Sequence, residues 1–140
     1  MSDKEELVEV RNGPYAVIVR SPSLSMIRLS WTGYAPSQEY REILEQALSE
    51  VEEHELERWS ADLRDMAAIL QQDEHWTVTD WFPRLAAAGL KRMAILMSSD
   101  LFNQMSVERI MGAATPVLGF EVAYFDDMQK AEAWLMASDR

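Results

Sequence analysis

Both histidines of this sequence stand beside carboxylates, in Glu52-Glu53-His54 and Asp73-Glu74-His75. Imidazole with carboxylate oxygen is a donor set that several divalent metals accept. Residues adjacent in sequence do not converge on one face of a helix, however. No His-x-x-x-His pair compensates, so each histidine reads as part of a solvated helix end and no metal site is expected. A Ser-His-Asp triad can be assembled from scattered residues, but no Gly-x-Ser-x-Gly elbow would expose the nucleophile. There is no Gly-rich phosphate loop either. The sequence points to no catalytic residue and no cofactor.

Two other groups could bind rather than react. Asp62, Arg64 and Asp65 fall at the C-terminal end of an expected central strand, where open α/β sheets place their ligands. The plainer reading is an Arg64 ion pair with Asp62 or Asp65 that fixes the following loop. Trp76, Trp81, Phe102 and Met105 could line an apolar cavity near the same end, with methionine as the soft, adaptable wall. Aromatics at helical spacing are mostly core, which is the simpler account of Trp81 and Phe102. Trp76 lies about 160° around its helix from Val78 and is the least explained by packing. A ligand or a second subunit is the expectation for it.

Composition narrows the partners. The chain has 140 residues, 48% hydrophobic and 26% charged, enough to bury a core as one domain over residues 1–140. Its net charge of −11 disfavours nucleic acid and anionic membrane surfaces, both of which need a cationic face. Cysteine is absent, which excludes disulfides, thiolate metal sites and cysteine nucleophiles and fits a reducing cytoplasm. The acidic start, MSDKEELVEV, lacks the layout of a signal peptide. No apolar run approaches the ~18 residues of a spanning helix, so stable membrane insertion is not expected.

The elements that would position these residues follow from periodicity. Leu7 to Arg11 and Tyr15 to Arg20 flank Asn12-Gly13, a strong signal for a two-residue hairpin whose end Pro14 should fray. Leu24 to Trp31 alternates as a third strand. Tyr40, Ile43, Leu44, Ala47, Leu48 and Val51 make one apolar stripe of a helix from Ser37 to about His54, with a solvated glutamate face opposite. A strand from about Arg58 to Leu63 follows. Asp73 is the expected N-cap of a helix to Ala88, in which Pro83 forces a kink or a restart capped by Asp80. Gly89 should end that helix. Leu90 to Met97 carries an unbroken apolar run suited to a strand covered on both faces. Ser98-Ser99-Asp100 caps a further helical region with Ser106 as a second cap, Phe120 to Phe125 is a strand, and Asp126 or Asp127 caps the last helix. The order β-β-β-α-β-α-β-α-β-α implies an α/β sandwich: a mainly parallel sheet extended by an antiparallel meander, with about four helices on its two faces.

Several residues within this order resemble the bacterial STAS-like family, related to anti-sigma-factor antagonists and grouped with CRAL-TRIO lipid-binding folds. They are Trp31-Thr32-Gly33, Tyr40-Arg41, Trp59-x-x-Asp62-Leu63-Arg64 and Trp81-Phe82-Pro83-Arg84. Ala88-Gly89-Leu90, Phe102-x-x-Met105-Ser106, Tyr124-Phe125 and Ala131-x-x-Trp134-Leu135 continue the pattern over nearly the whole chain. The resemblance implies a STAS-type fold whose members are mostly uncharacterised and not known as enzymes. Antagonists of this kind carry a phosphorylatable serine where a strand meets a helix. Between Ser60 and Thr77 this sequence has no Ser, Thr or Tyr, so a phosphate switch at that helix start has no acceptor. The expectation is a non-catalytic cytoplasmic module that binds a protein partner, itself included as a homodimer. The alternative is a binder of a small apolar ligand or lipid.

Overall fold

In the computed structural model, which describes residues 6–137, six strands form one mixed sheet in the order β1-β2-β3-β4-β5-β6. The first three, β1 (Val8–Asn12), β2 (Ala16–Ser21) and β3 (Met26–Gly33), pair antiparallel. From β3 onward, β4 (Arg58–Met66), β5 (Arg92–Leu96) and β6 (Glu121–Phe125) run parallel. The expected meander and parallel sheet are both present. The first hairpin is not the two-residue turn that Asn12-Gly13 signals. Such a turn closes through the N–H of residue 14, and Pro14 has none. The strands instead pair at Asn12 with Val17, and the Gly13 N–H closes a longer loop onto the Ala16 carbonyl at 3.0 Å.

Helix α1 (Ser37–His54) buries Tyr40, Ile43, Leu44, Ala47, Leu48 and Val51, the stripe legible in the sequence. At roughly 1.5–3 kcal/mol per large buried apolar side chain, that stripe is what holds α1 to the sheet. Its acidic face is not wholly solvated: Glu45 accepts from both terminal guanidinium nitrogens of Arg84 at 2.7 and 2.6 Å, and Glu50 accepts from Arg20 Nε at 2.9 Å.

The next helical segment accommodates Pro83 through a π turn, with the proline in the first turn of the helix that follows and no side-chain cap from Asp80. α2 (Gln71–Trp76) widens into a π-helical turn over Thr77–Trp81, in which the Phe82 N–H reaches the Thr77 carbonyl, and continues as α3 (Phe82–Ala87). A π turn is one of the few devices that lets a proline follow without ending the helix. Gly89 terminates it with φ +92°, as expected of a C′ glycine. Asp73 is not the N-cap; Leu70 holds that position. Its buried carboxylate instead accepts from Ser37 Oγ at 2.7 Å and Arg41 Nε at 2.9 Å, tying α2 to α1. Helix α4 (Leu101–Ala114) begins at Asp100, whose side chain accepts the Asn103 N–H, and runs through Ser106 without a restart. Helix α5 (Met128–Met136) is capped by Asp127.

The helices divide unequally between the faces. Ile18, Leu29, Trp31, Trp59 and Ile95 join one large core with the buried side chains of α1, the π turn, α3 and α4. The opposite face is covered by α5 alone, where Met26, Ala94 and Leu96 meet Ala131 and Leu135.

Candidate functional site

The sequence-marked charge cluster is a piece of strand construction. Between the pairs Ser30–Asp62 and Thr32–Asp65, β4 carries Leu63 and Arg64 opposite the single residue Trp31, a β-bulge. The Arg64 N–H, taken out of the ladder there, goes to Asp62 Oδ1 at 3.1 Å. Arg64 Nε and a terminal nitrogen also reach the Asp62 carboxylate, at 2.9 and 2.8 Å. Burial raises the Asp62 carboxyl, but the arginine side chain and the bulge N–H outweigh it and hold the group below its ordinary value. Asp65 stays exposed within the strand and makes no such bond. The loop-fixing ion pair is therefore Asp62 with Arg64, inside a strand that extends to Met66 rather than ending near Leu63.

The aromatic set does not come together. Trp81 is buried at 2% exposure, donates its indole N–H to the Leu44 carbonyl at 2.9 Å, and packs edge-on against Trp59 and Phe82. Trp76 is half-buried, edge-on to Tyr40, with the Arg41 guanidinium 5.1 Å above its ring. Trp76 and Val78 both pack, partly buried, against the large core. Phe102, expected in the core, is 68% exposed, and Met105 is 43% exposed. These four residues do not line a common cavity.

What the structure shows instead is a cleft under α4. Ser98 donates to the Met66 carbonyl at 2.8 Å and accepts the Asp100 N–H at 3.0 Å, which fixes the turn from β5 into α4. Asn103 Nδ2 donates to the Ala67 carbonyl at 2.8 Å, and Arg109 grips Glu74 of α2 through two bonds of 2.9 and 2.8 Å. All these ties run to β4, its following loop and α2. The far side of α4 stands off β5 and β6, leaving an open cleft of about 1370 Å³. Ile95 and Val122 floor it from the sheet, Met111 and Leu118 wall it, and Met105 and Tyr124 stand at its rim. That volume exceeds the roughly 300–1,000 Å³ of a drug-sized pocket.

Within this mostly apolar lining, Asn103 is 1% exposed and its Oδ1 has no protein donor. A buried carbonyl without a partner costs about 1–3 kcal/mol. The Tyr124 phenol is pushed up from its ordinary value by partial burial. Sequence reading found only Met105 of this site. The available signal was α4 itself, which carries apolar residues on two sides, Leu101-Phe102-Met105 and Val107-Ile110-Met111. Among the described residues, Glu50, Glu53 and His54 bring ligand-type atoms near one another on exposed α1, with Glu50 already bound to Arg20. No described helix is long and apolar enough to cross a membrane.

A six-stranded sheet, antiparallel over β1 to β3 and parallel from β3 onward, with four helical segments (α2, the π turn and α3 counting as one) is a STAS-type α/β fold. The family model described as SpoIIAA-like matches residues 26–136, and the chain belongs to that family. It is similar to the crystal structure of an uncharacterised DUF3478-family protein with a SpoIIAA-like fold from Shewanella loihica PV-4. The identity is 13% and the TM-score 0.50, covering 96% of this chain and 98% of that one, which shows the fold alone. Comparison with curated proteins finds no match.

Proposed function

We propose that the chain acts as one non-catalytic binding domain, without a phosphoserine switch, and that its α4–β6 cleft holds a small apolar or amphipathic molecule. The cleft carries this reading: an apolar recess of about 1370 Å³ walled by Met111, Leu118, Ile95 and Val122 is what such a ligand needs. Gly112 supplies the test. It lines the cleft, and a Cβ there would meet no atom within 4 Å. Gly112→Phe should fill the recess while leaving the helix intact or more stable by up to about 1 kcal/mol, since glycine is a poor helix former. Nile red should bind the parent protein saturably at one site, and Gly112→Phe should lose that binding with unchanged circular dichroism. Equal Nile red binding by both proteins would overturn the reading.

A second reading, docking of a protein partner or of a second copy, is favoured by the rim rather than the recess. Leu101 and Phe102 are 64% and 68% exposed at the start of α4, and large apolar side chains grouped at a surface are interaction sites in many proteins. Multi-angle light scattering separates the two. A dimer that Phe102→Asp dissociates while Nile red binding persists would assign the rim to assembly and the recess to ligand.

A further inference from the structure

The sheet has two edges, and only one is defended. An edge strand presents backbone N–H and C=O groups that another chain can pair with, and proteins blunt such edges with bulges, charges, prolines or covering groups. At β1 the register breaks between Glu9 and Arg11, and α1 reaches over the edge: Gln46 Nε2 donates to the Val10 carbonyl at 3.3 Å. β6 has neither device. It pairs with β5 in unbroken register from Glu121 to Phe125, and Val122, Ala123 and Tyr124 between them carry no charge and no proline. The Glu121 N–H donates to the Lys91 carbonyl, and the Phe125 carbonyl accepts from the Met97 N–H, each at 3.0 Å. Backbone direction alternates along a strand, so Glu121, Ala123 and Phe125 face β5 while Val122 and Tyr124 turn their N–H and C=O groups outward. Among the described residues no strand pairs with that side.

We propose that the outer edge of β6 takes an extended, cationic segment of another protein as a seventh strand, held by the main chain of Val122 and Tyr124. Alternate side chains of that segment would stand beside Val122 and Tyr124 on the cleft face. Charge selects the partner. Glu121 and Asp126, both exposed, bracket the edge, and Glu108 lines the adjoining cleft. The cations at its start are already matched, Arg92 with Glu121 at 3.0 Å and Lys91 with Glu57 at 3.4 Å. On a chain of net charge −11, a basic segment is attracted and a second, equally acidic copy is repelled. The edge is open whether or not the cleft holds a ligand.

The probe is an acetylated, amidated heptapeptide of alternating lysine and valine. Amide hydrogen exchange read by NMR should be fast at Val122 and Tyr124 and slow at Ala123 and Phe125 in the free protein; saturating peptide should slow the first pair. Two derivatives, N-methylated at the valines or at the lysines, test the ladder itself, because only one set of amides in an added strand faces β6. One derivative should lose affinity by about tenfold or more, and the other should bind as the unmethylated peptide does. A peptide with glutamate in place of lysine should also bind about tenfold or more weakly. No slowing at Val122 and Tyr124, or protection gained at β1 instead, would overturn the proposal. So would equal affinity of the two methylated peptides, or binding of the glutamate peptide as tight as the lysine one. A dimer in which Val122 and Tyr124 are protected without peptide would assign the edge to a second copy and overturn it as well.

Discussion

The two halves of the large sheet face use similar side chains to opposite ends. Over β2, β3 and β4, the aromatic residues interlock: Trp59 against Trp81, Trp81 against Phe82, and Trp31 against Tyr40, with ring centroids 5.0–5.3 Å apart. Their polar atoms are also satisfied, Trp81 by the Leu44 carbonyl and Tyr40 by Thr77 Oγ1 at 2.8 Å. Over β5 and β6, Val122 is only partly buried, Tyr124 on the same face is 47% exposed, and Asn103 Oδ1 goes unmet. The difference lies in where the helices are tied. α1 and α2 are bound to each other by Asp73, whereas α4 is bound by Asn103 and Arg109 toward β4 and α2 and away from β6. Hydrophobic content does not distinguish the closed half from the open one; the anchoring of the covering helix does.

The largest effect expected from this contrast is on stability. Trp81→Ala should cost about 3–5 kcal/mol in denaturant unfolding, since it empties the closed half and leaves the Leu44 carbonyl buried. Phe102→Ala, at the exposed start of α4, should change stability by less than about 0.5 kcal/mol. Comparable losses would mean that the open half is as tightly packed as the closed one. Anchoring can be tested directly. Arg109→Met removes the double bond to Glu74, and hydrogen exchange should then quicken in α4 while β2, β3 and β4 keep their protection.

The two tyrosines sharpen the comparison through pH. Tyr40 is fully buried, and desolvation by that burial drives its phenol far above the ordinary value of 10.0. Tyr124 is raised too, also by burial, but stands at the rim. A phenol whose folded pKa lies above its unfolded value binds more protons when folded, so stability is intact below pH 10 and falls as pH rises beyond it. Alkaline unfolding should therefore be steep in the parent protein and flatter in Tyr40→Phe. That variant should also lose about 1 kcal/mol at neutral pH with the Thr77 hydrogen bond. Tyr124→Phe should alter the alkaline limb less.

Much of the fold was legible in the sequence, because its elements obey local rules. The α1 stripe from Tyr40 to Val51, the Asp100 and Asp127 caps and the Gly89 stop all depend on near neighbours, and all are found in place. Asp73 went astray as an N-cap because Ser37 and Arg41, distant in sequence, compete for its carboxylate. Asn12-Gly13 failed because its closing donor would have been Pro14. Of the cleft, only Met105 and the two apolar sides of α4 were legible. Whether α4 settles onto β6 is decided by its ties to Ala67 and Glu74, and a single asparagine in a first helical turn reads as an ordinary surface polar residue. The STAS-like resemblance identified the fold, and its CRAL-TRIO kinship raised an apolar ligand as the alternative without saying where on the fold it would sit.

The smallest effect concerns the seam between the halves. Leu63, the bulged residue of β4, contributes to the closed core and to the cleft wall alike, and the Asp62–Arg64 bonds hold the bulge that aims it. Because the folded Asp62 carboxyl lies below its ordinary value, its contribution is fully present above about pH 4. It is lost as pH falls through the lowered folded value. Asp62→Asn should accordingly lose up to about 1 kcal/mol at neutral pH and show a shallower acid limb in urea unfolding measured at stepped pH. If the bulge also sets the cleft wall, Nile red affinity should fall with it at pH 7. An acid limb that flattens with no change in Nile red binding would instead show that Leu63 holds its place without the clamp, and that the open half is shaped by α4 alone.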